Sequence, residues 1–222
     1  MIDLRRGERV LVLGHRGAAR LAAPNSLESL RVAAAAGADG VEIDLQRGVG
    51  GVLALAHDPE VPADAPLLDD ALALVAELGL LVQLDVKLTG AAAEIAGAVR
   101  RAGLEERAFA SSFSMEALAE LQTAAPWLPR SYTYPGRPAS ALWRALLPYR
   151  LLPWLEELGA AATTLKVSVI TRPVVEACHR RGVAVHAWTV NDPGTARILV
   201  ERGVDAIITD DPRGIPGGIT DT

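Results

Sequence analysis

The sequence is poor in several residue types, and each shortage closes off a class of protein. It has one cysteine, Cys178, so no internal disulfide framework can hold it together. Aromatic residues make up only 4% of the chain, so its core must be built from Ala, Val and Leu. There is no basic run and no basic–aromatic interleaving, and 27 acidic residues outnumber 22 basic ones. A nucleic-acid partner is therefore not expected. No long apolar run survives inspection. The best, Leu67–Leu84, is broken by Asp69, Asp70, Glu77 and Gln83, which argues against stable membrane insertion. Residues 1–9 carry Asp3, Arg5, Arg6, Glu8 and Arg9 and lack the apolar middle of a secretory leader, so a cytoplasmic location is the expectation. Lysine is scarce as well: only Lys87 and Lys166 occur among the 22 basic residues.

What remains is 222 residues, 50% of them hydrophobic, which suits one barrel-sized domain over residues 1–222. Short apolar runs predict strands at Val10–Gly14, Gly40–Leu45, Leu80–Val86, Ala108–Ser111, Arg130–Thr133, Thr163–Lys166, Ala184–Trp188 and Ala206–Thr209. Helical spacing predicts helices at Ser26–Ala36, Leu68–Leu78, Ala91–Ala102, Met115–Ala125, Arg172–Arg181 and Pro193–Arg202. Eight strands alternating with helices in one domain predict an α/β fold, a (β/α)₈ TIM barrel. An open doubly wound sheet is the rival, but no G-x-G-x-x-G follows the first strand. A further run, Gly51–His57, lies too close to the second strand for a parallel crossover. It should return as an extra antiparallel hairpin strand, with Gly48, Gly50 and Gly51 in the turn. Pro135, Pro138, Pro148 and Pro153 predict an irregular loop with short helices.

Residues with chemical capacity gather where the predicted strands end, the face on which such barrels carry their active sites. The first strand runs into His15 and Arg16. Glu42 and Asp44 sit two apart on the second strand and project to one face. Asp85 and Lys87 repeat that spacing on the third. Three carboxylates converging on one point suit an oxygen-ligated divalent cation. His15 and His57 flank the group and can exchange protons near neutral pH. Arg16 can hold a phosphate oxygen or pair with one of those carboxylates. Three carboxylates, one divalent cation and two basic residues sum to +1, which matches a phosphodiester monoanion. Trp188 could wall the alcohol of a small-molecule substrate. His179, beside Arg180 and Arg181, reads as part of a solvated helix face, and His186 as a buried, hydrogen-bonded core residue.

Taken together, these stretches resemble the glycerophosphodiester phosphodiesterase family. The matching pieces are His15-Arg16-Gly17-Ala18, Asn25-Ser26-Leu27, Gly37–Asp44, His57-Asp58, Asp85-Val86-Lys87, Ser111-Ser112-Phe113, Trp188–Asp192 and Gly203–Asp210, in the family's order. The resemblance implies a TIM barrel that hydrolyses glycerophosphodiesters to an alcohol and glycerol 3-phosphate. It implies one Mg²⁺ or Ca²⁺ at Glu42, Asp44 and Asp85. It implies His15 and His57 as the acid/base pair, with Arg16 and Lys87 on the phosphoryl group. Three departures stand out. Pro24 replaces the glutamate usual in the loop after the first strand. Asp85 replaces the usual glutamate, one methylene shorter. The segment after His57 is short, so a shallow, open site is expected. The departures leave an alternative: a degenerate relative that binds a phosphorylated ligand or hydrolyses a different phosphodiester. A Schiff-base enzyme using Lys87 or Lys166 is a third possibility. The oligomeric state is not legible.

Overall fold

The computed structural model describes residues 4, 5, 7, 9–134 and 141–215. Eight parallel strands close into a barrel: β1 (Leu11–His15), β2 (Gly40–Arg47), β4 (Leu81–Val86), β5 (Ala108–Ser112), β6 (Arg130–Tyr134), β7 (Ala162–Lys166), β8 (Ala184–Trp188) and β9 (Ala206–Thr209). Closure comes from β1, which pairs with β2 on one side and β9 on the other. Among the described residues, seven helices wrap the outside: α1 (Leu27–Ala35), α2 (Leu68–Leu78), α3 (Ala92–Arg101), α4 (Met115–Ala124), α5 (Ala141–Glu157), α6 (Arg172–His179) and α7 (Pro193–Glu201). The expected (β/α)₈ barrel is therefore the fold, and no helix among the described residues is long and apolar enough to cross a membrane.

The extra strand is β3 (Leu53–Leu55). It pairs antiparallel with the overhanging end of β2, Leu45 to Arg47, outside the closed ring. The turn that reverses the chain is a 3₁₀ turn at Val49–Gly51, and Gly50 takes a positive φ there, as the glycine-rich sequence anticipates. The strand is shorter than expected, so Ala56 and His57 lie beyond it.

Alternation sorts each strand's side chains. On β2, Val41, Ile43 and Leu45 face the helices and join the main aliphatic core, while Glu42 and Asp44 face the barrel axis. The bottom of the barrel is sealed by a separate small cluster that includes Leu4, Leu13, Phe109, Ala184 and Ile208.

One expectation fails. The proline-marked stretch is not a loop with short helices: residues 141–157 form one helix, α5, with Pro148 and Pro153 inside it. Each internal proline removes a backbone hydrogen bond and costs about 3 kcal/mol. The opposing term is a leucine row, Leu147, Leu151, Leu155 and Leu158, every member at most 2% exposed. Burying such side chains yields about 1.5–3 kcal/mol each. Packing against the barrel thus outweighs the local breakers. Pro135 and Pro138 lie outside the described residues.

The loop after β1 positions half of the barrel mouth, and Gly17 sets its path with φ +84°. A Cβ there would lie 2.3 Å from Ser29 Oγ and 2.6 Å from the Ser29 carbonyl carbon. Gly17→Ala should cost roughly 1–3 kcal/mol from backbone strain alone, with the overlap added. A lowered urea midpoint with an unchanged m-value checks this.

Candidate active site

At the C-terminal ends of the strands a cleft, open to solvent at its mouth, is lined by His15, Arg16, Glu42, Asp44, His57, Asp85, Lys87 and Trp188. Every site residue expected from the sequence therefore shares one cleft.

The carboxylates come from adjacent strands in matched register, Asp44 opposite Asp85 and Glu42 opposite Gln83. Oxygens of Glu42, Asp44 and Asp85 lie within 4.8 Å of one another, and all three residues are buried. Asp85 therefore reaches the cluster despite its shorter side chain. Burial, followed by repulsion from Asp44 and Asp85, pushes the Glu42 carboxyl well above the usual carboxylate range. An oxygen-ligated divalent cation is what relieves both effects, so the donor set fits one.

The cations are interleaved with the acids. Lys87 Nζ lies 2.8 Å from Asp44 Oδ1 and also meets Asp85. Burial pulls the Lys87 ammonium down, but Asp85 and Asp44 together outweigh this and raise it. Lys87 therefore stays charged, which removes the amine needed for a Schiff base. Arg16 Nε lies 3.0 Å from Asp44 Oδ2, and the Arg16 amide donates to Glu42 Oε2 at 2.9 Å. Asn25 clamps Asp44 twice: its Nδ2 donates to Oδ2 at 3.0 Å, and its Oδ1 accepts the Asp44 amide at 3.1 Å. Arg16 and Asn25 both adopt positive φ, so this loop holds its strain beside the carboxylates.

The two histidines differ. His15 Nδ1 lies 2.6 Å from Asp210 Oδ1, and Asn191 donates to Asp210 Oδ2 at 2.6 Å. A carboxylate on Nδ1 fixes the proton there and leaves the Nε2 lone pair toward Glu42, 3.9 Å away. Burial lowers the His15 pKa, Arg16 adds to this, and the Asp210 hydrogen bond opposes it. His57 stands at the rim with 46% of its side chain exposed and Nδ1 on Asp58 at 2.8 Å. The mouth is open near His57, as the short following segment anticipates. The site is not shallow, however: the cleft runs below the carboxylates to Gln83, Thr133 and Thr164.

Sequence reasoning left some partners unassigned. Asp210 follows β9 directly, at the same barrel end as His15, and that position was its available signal. Ser111 donates to Asp85 Oδ1 at 2.6 Å, and β5 places it opposite Asp85. His179 is a correction: its Nε2 lies 2.7 Å from Asp205 Oδ2, which also accepts the Val185 amide at 2.7 Å. It pins α6 to the barrel's N-terminal end instead of facing solvent. His186 is fully buried, with Nε2 3.2 Å from the Leu4 carbonyl. Burial pushes the Cys178 thiol up to about 12, which makes it inert. Lys166 ends β7 as an exposed residue and does not line the cleft.

The sequence model of the glycerophosphoryl diester phosphodiesterase family matches residues 15–70 and 77–213. The chain belongs to this family. It is 26% identical to the glycerophosphodiester phosphodiesterase of Caldanaerobacter subterraneus subsp. tengcongensis, over 92% of this chain and 95% of that one. The crystal structure of a glycerophosphodiester phosphodiesterase from Parabacteroides distasonis superposes with a TM-score of 0.76 at 25% identity, covering 93% of this chain and 95% of that chain. An Oleispira antarctica phosphodiesterase, solved with its product sn-glycerol-3-phosphate, shares the fold with a TM-score of 0.78 at 24% identity, covering 95% and 97%. Within the matched span, Asn25 holds Asp44 from the loop after β1.

Proposed function

We propose that this chain hydrolyses glycerophosphodiesters to an alcohol and glycerol 3-phosphate. The observation that carries the reading is the convergence, in one cleft, of two histidines, two cations and three carboxylates. Membership of the phosphodiesterase family supports it independently.

Glu42, Asp44 and Asp85 would hold one divalent cation, Mg²⁺ or Ca²⁺. Bound there, it would supply Lewis-acid polarisation of a phosphoryl oxygen. The chain's own groups do the rest. Arg16 and Lys87 bind the two non-bridging oxygens and orient the phosphorus. Neutral His15, its tautomer held by Asp210, takes the proton of the incoming oxygen at Nε2. His57, exposed at the rim, gives a proton to the departing alcohol. Trp188 packs against the substrate's carbon frame.

The test is hydrolysis of a panel of glycerophosphodiesters and a simple aryl phosphodiester. EDTA-sensitive turnover should exceed that of His15→Ala and His57→Ala controls, with glycerol 3-phosphate as product. No EDTA-sensitive turnover above those controls refutes the reading.

A further inference from the structure

Asn191 lies between β8 and α7, beside Asp210 at the exit of β9. The amide of Val190 donates to the Ile208 carbonyl at 2.9 Å and ties the two exits together. The Asn191 side chain adds three more contacts. Its Oδ1 lies 2.9 Å from the Asp210 amide nitrogen and 3.2 Å from Thr209 Oγ1, and its Nδ2 lies 2.6 Å from Asp210 Oδ2. Asn191 does not line the cleft, so any effect it has on the reaction passes through Asp210.

The direction of these bonds is forced. A backbone N–H can only donate, so the Asn191 atom facing the Asp210 amide is the carbonyl oxygen. The Asn191 nitrogen must then face Asp210 Oδ2, where it can only donate. The other oxygen, Asp210 Oδ1, lies 2.6 Å from His15 Nδ1. A carboxylate accepts on both sides, so His15 carries its proton on Nδ1 and keeps a lone pair at Nε2. A single backbone amide thus sets the polarity of a relay through Asn191 and Asp210 that ends at the His15 ring.

We infer that Asn191 is a positioning residue: it holds Asp210 so that only an acceptor can face His15, and thereby selects Nε2 as the nitrogen that takes the proton. The inference rests on the phosphodiesterase reading for the use made of His15. It adds the residue that decides which ring nitrogen is available.

The test uses a substitution whose harm a second substitution should undo. In Asp210→Asn, Asn191 still presents its N–H. The introduced amide must turn its oxygen to Asn191 and its nitrogen to His15, which drives the His15 proton to Nε2 and removes the base. The value of kcat should fall about 10²–10⁴-fold, with little change in KM. In Asp210→Asn/Asn191→Asp, the introduced carboxylate accepts from the backbone amide and from the introduced amide, whose oxygen then returns to His15. In Asp210→Asn/Asn191→Ala, no donor holds the introduced amide and it is free to rotate. Each double variant should exceed Asp210→Asn in kcat by at least about tenfold. A merely structural contact predicts the reverse, a further loss. Double variants that fold, shown by thermal unfolding, yet stay at or below Asp210→Asn overturn the inference.

The ¹⁵N shifts of the His15 ring, recorded above neutral pH with Mg²⁺ supplied, give a readout that needs no turnover. They should show the proton on Nδ1 in the wild type and on Nε2 in Asp210→Asn. The same tautomer in both overturns the inference, whether or not the double variants fold. Inversion in a chain that hydrolyses no diester supports the relay and refutes only the phosphodiesterase reading.

Discussion

His15→Ala should lower kcat by about 10²–10⁴-fold, the usual contribution of a positioned proton-transfer group. The loss should fall on kcat more than on KM, because Arg16 and Lys87, not His15, hold the phosphoryl oxygens. The two histidines should also be separable. An aryl diester with a good leaving group needs little protonation on departure. It should therefore largely rescue His57→Ala and leave His15→Ala impaired. The asymmetry of the site is the reason: Asp210 holds His15 Nδ1 and burial keeps the ring neutral, so its Nε2 is an acceptor. Equal rescue of both variants would reverse or remove this assignment. The double variant should be barely worse than the worse single one, since groups that act in one step are not additive.

Glu42→Gln should separate stability from function. It removes one of three buried carboxylates, so divalent-ion affinity, followed by calorimetry, should fall at least about 100-fold. Losing even an outer partner of a metal ligand costs about 10–100-fold. In EDTA the same variant should be more stable than wild type at neutral pH. Glu42 is held above the usual carboxylate range by burial and by Asp44 and Asp85. The folded state thus keeps a proton on Glu42 that the unfolded chain has already released. Where the folded state binds more protons, stability falls as pH rises. The metal-free wild type should therefore lose stability from the ordinary glutamate range upward, until Glu42 ionises. Glu42→Gln lacks this decline. Each 1 kcal/mol relieved is worth about 2–4 °C in Tm for a chain of this size. His15 titrates in both proteins, so the difference between their Tm–pH curves isolates Glu42. A variant less stable than wild type across that range would show that the carboxylate is satisfied without a cation.

Much of this molecule is legible in its sequence. The strand positions follow from apolar runs bounded by glycine and charge, which are local signals read within four to seven residues. The same two-residue alternation that places Glu42 and Asp44 on one face also places Gln83 with Asp85. The charged cluster was therefore visible, and so in principle was the next residue along that face. Gln83 went unread because a neutral amide carries no charge to attract notice.

Local pattern failed where a long-range packing term exceeded a local one. Pro148 and Pro153 break helices in isolation, and only the barrel surface that buries the leucines of α5 reverses that outcome. His179 sits between sequence neighbours typical of a solvated face, yet Asp205 reaches it across the barrel's N-terminal end.

The sequence by itself determined the alternation of strands and helices, the closed barrel, and the set of acids, histidines and cations that face its mouth. These follow from periodicity and from the position of each residue at a strand end. Tertiary structure alone decided which of those groups touch. His15 and Asp210 are 195 residues apart and meet because β1 closes the ring against β9. The Gln83 amide nitrogen faces Ser111 because Ser111 has spent its one proton on Asp85. Hydrogen-bond direction depends on the whole set of neighbours in three dimensions, and no spacing rule along a chain contains it.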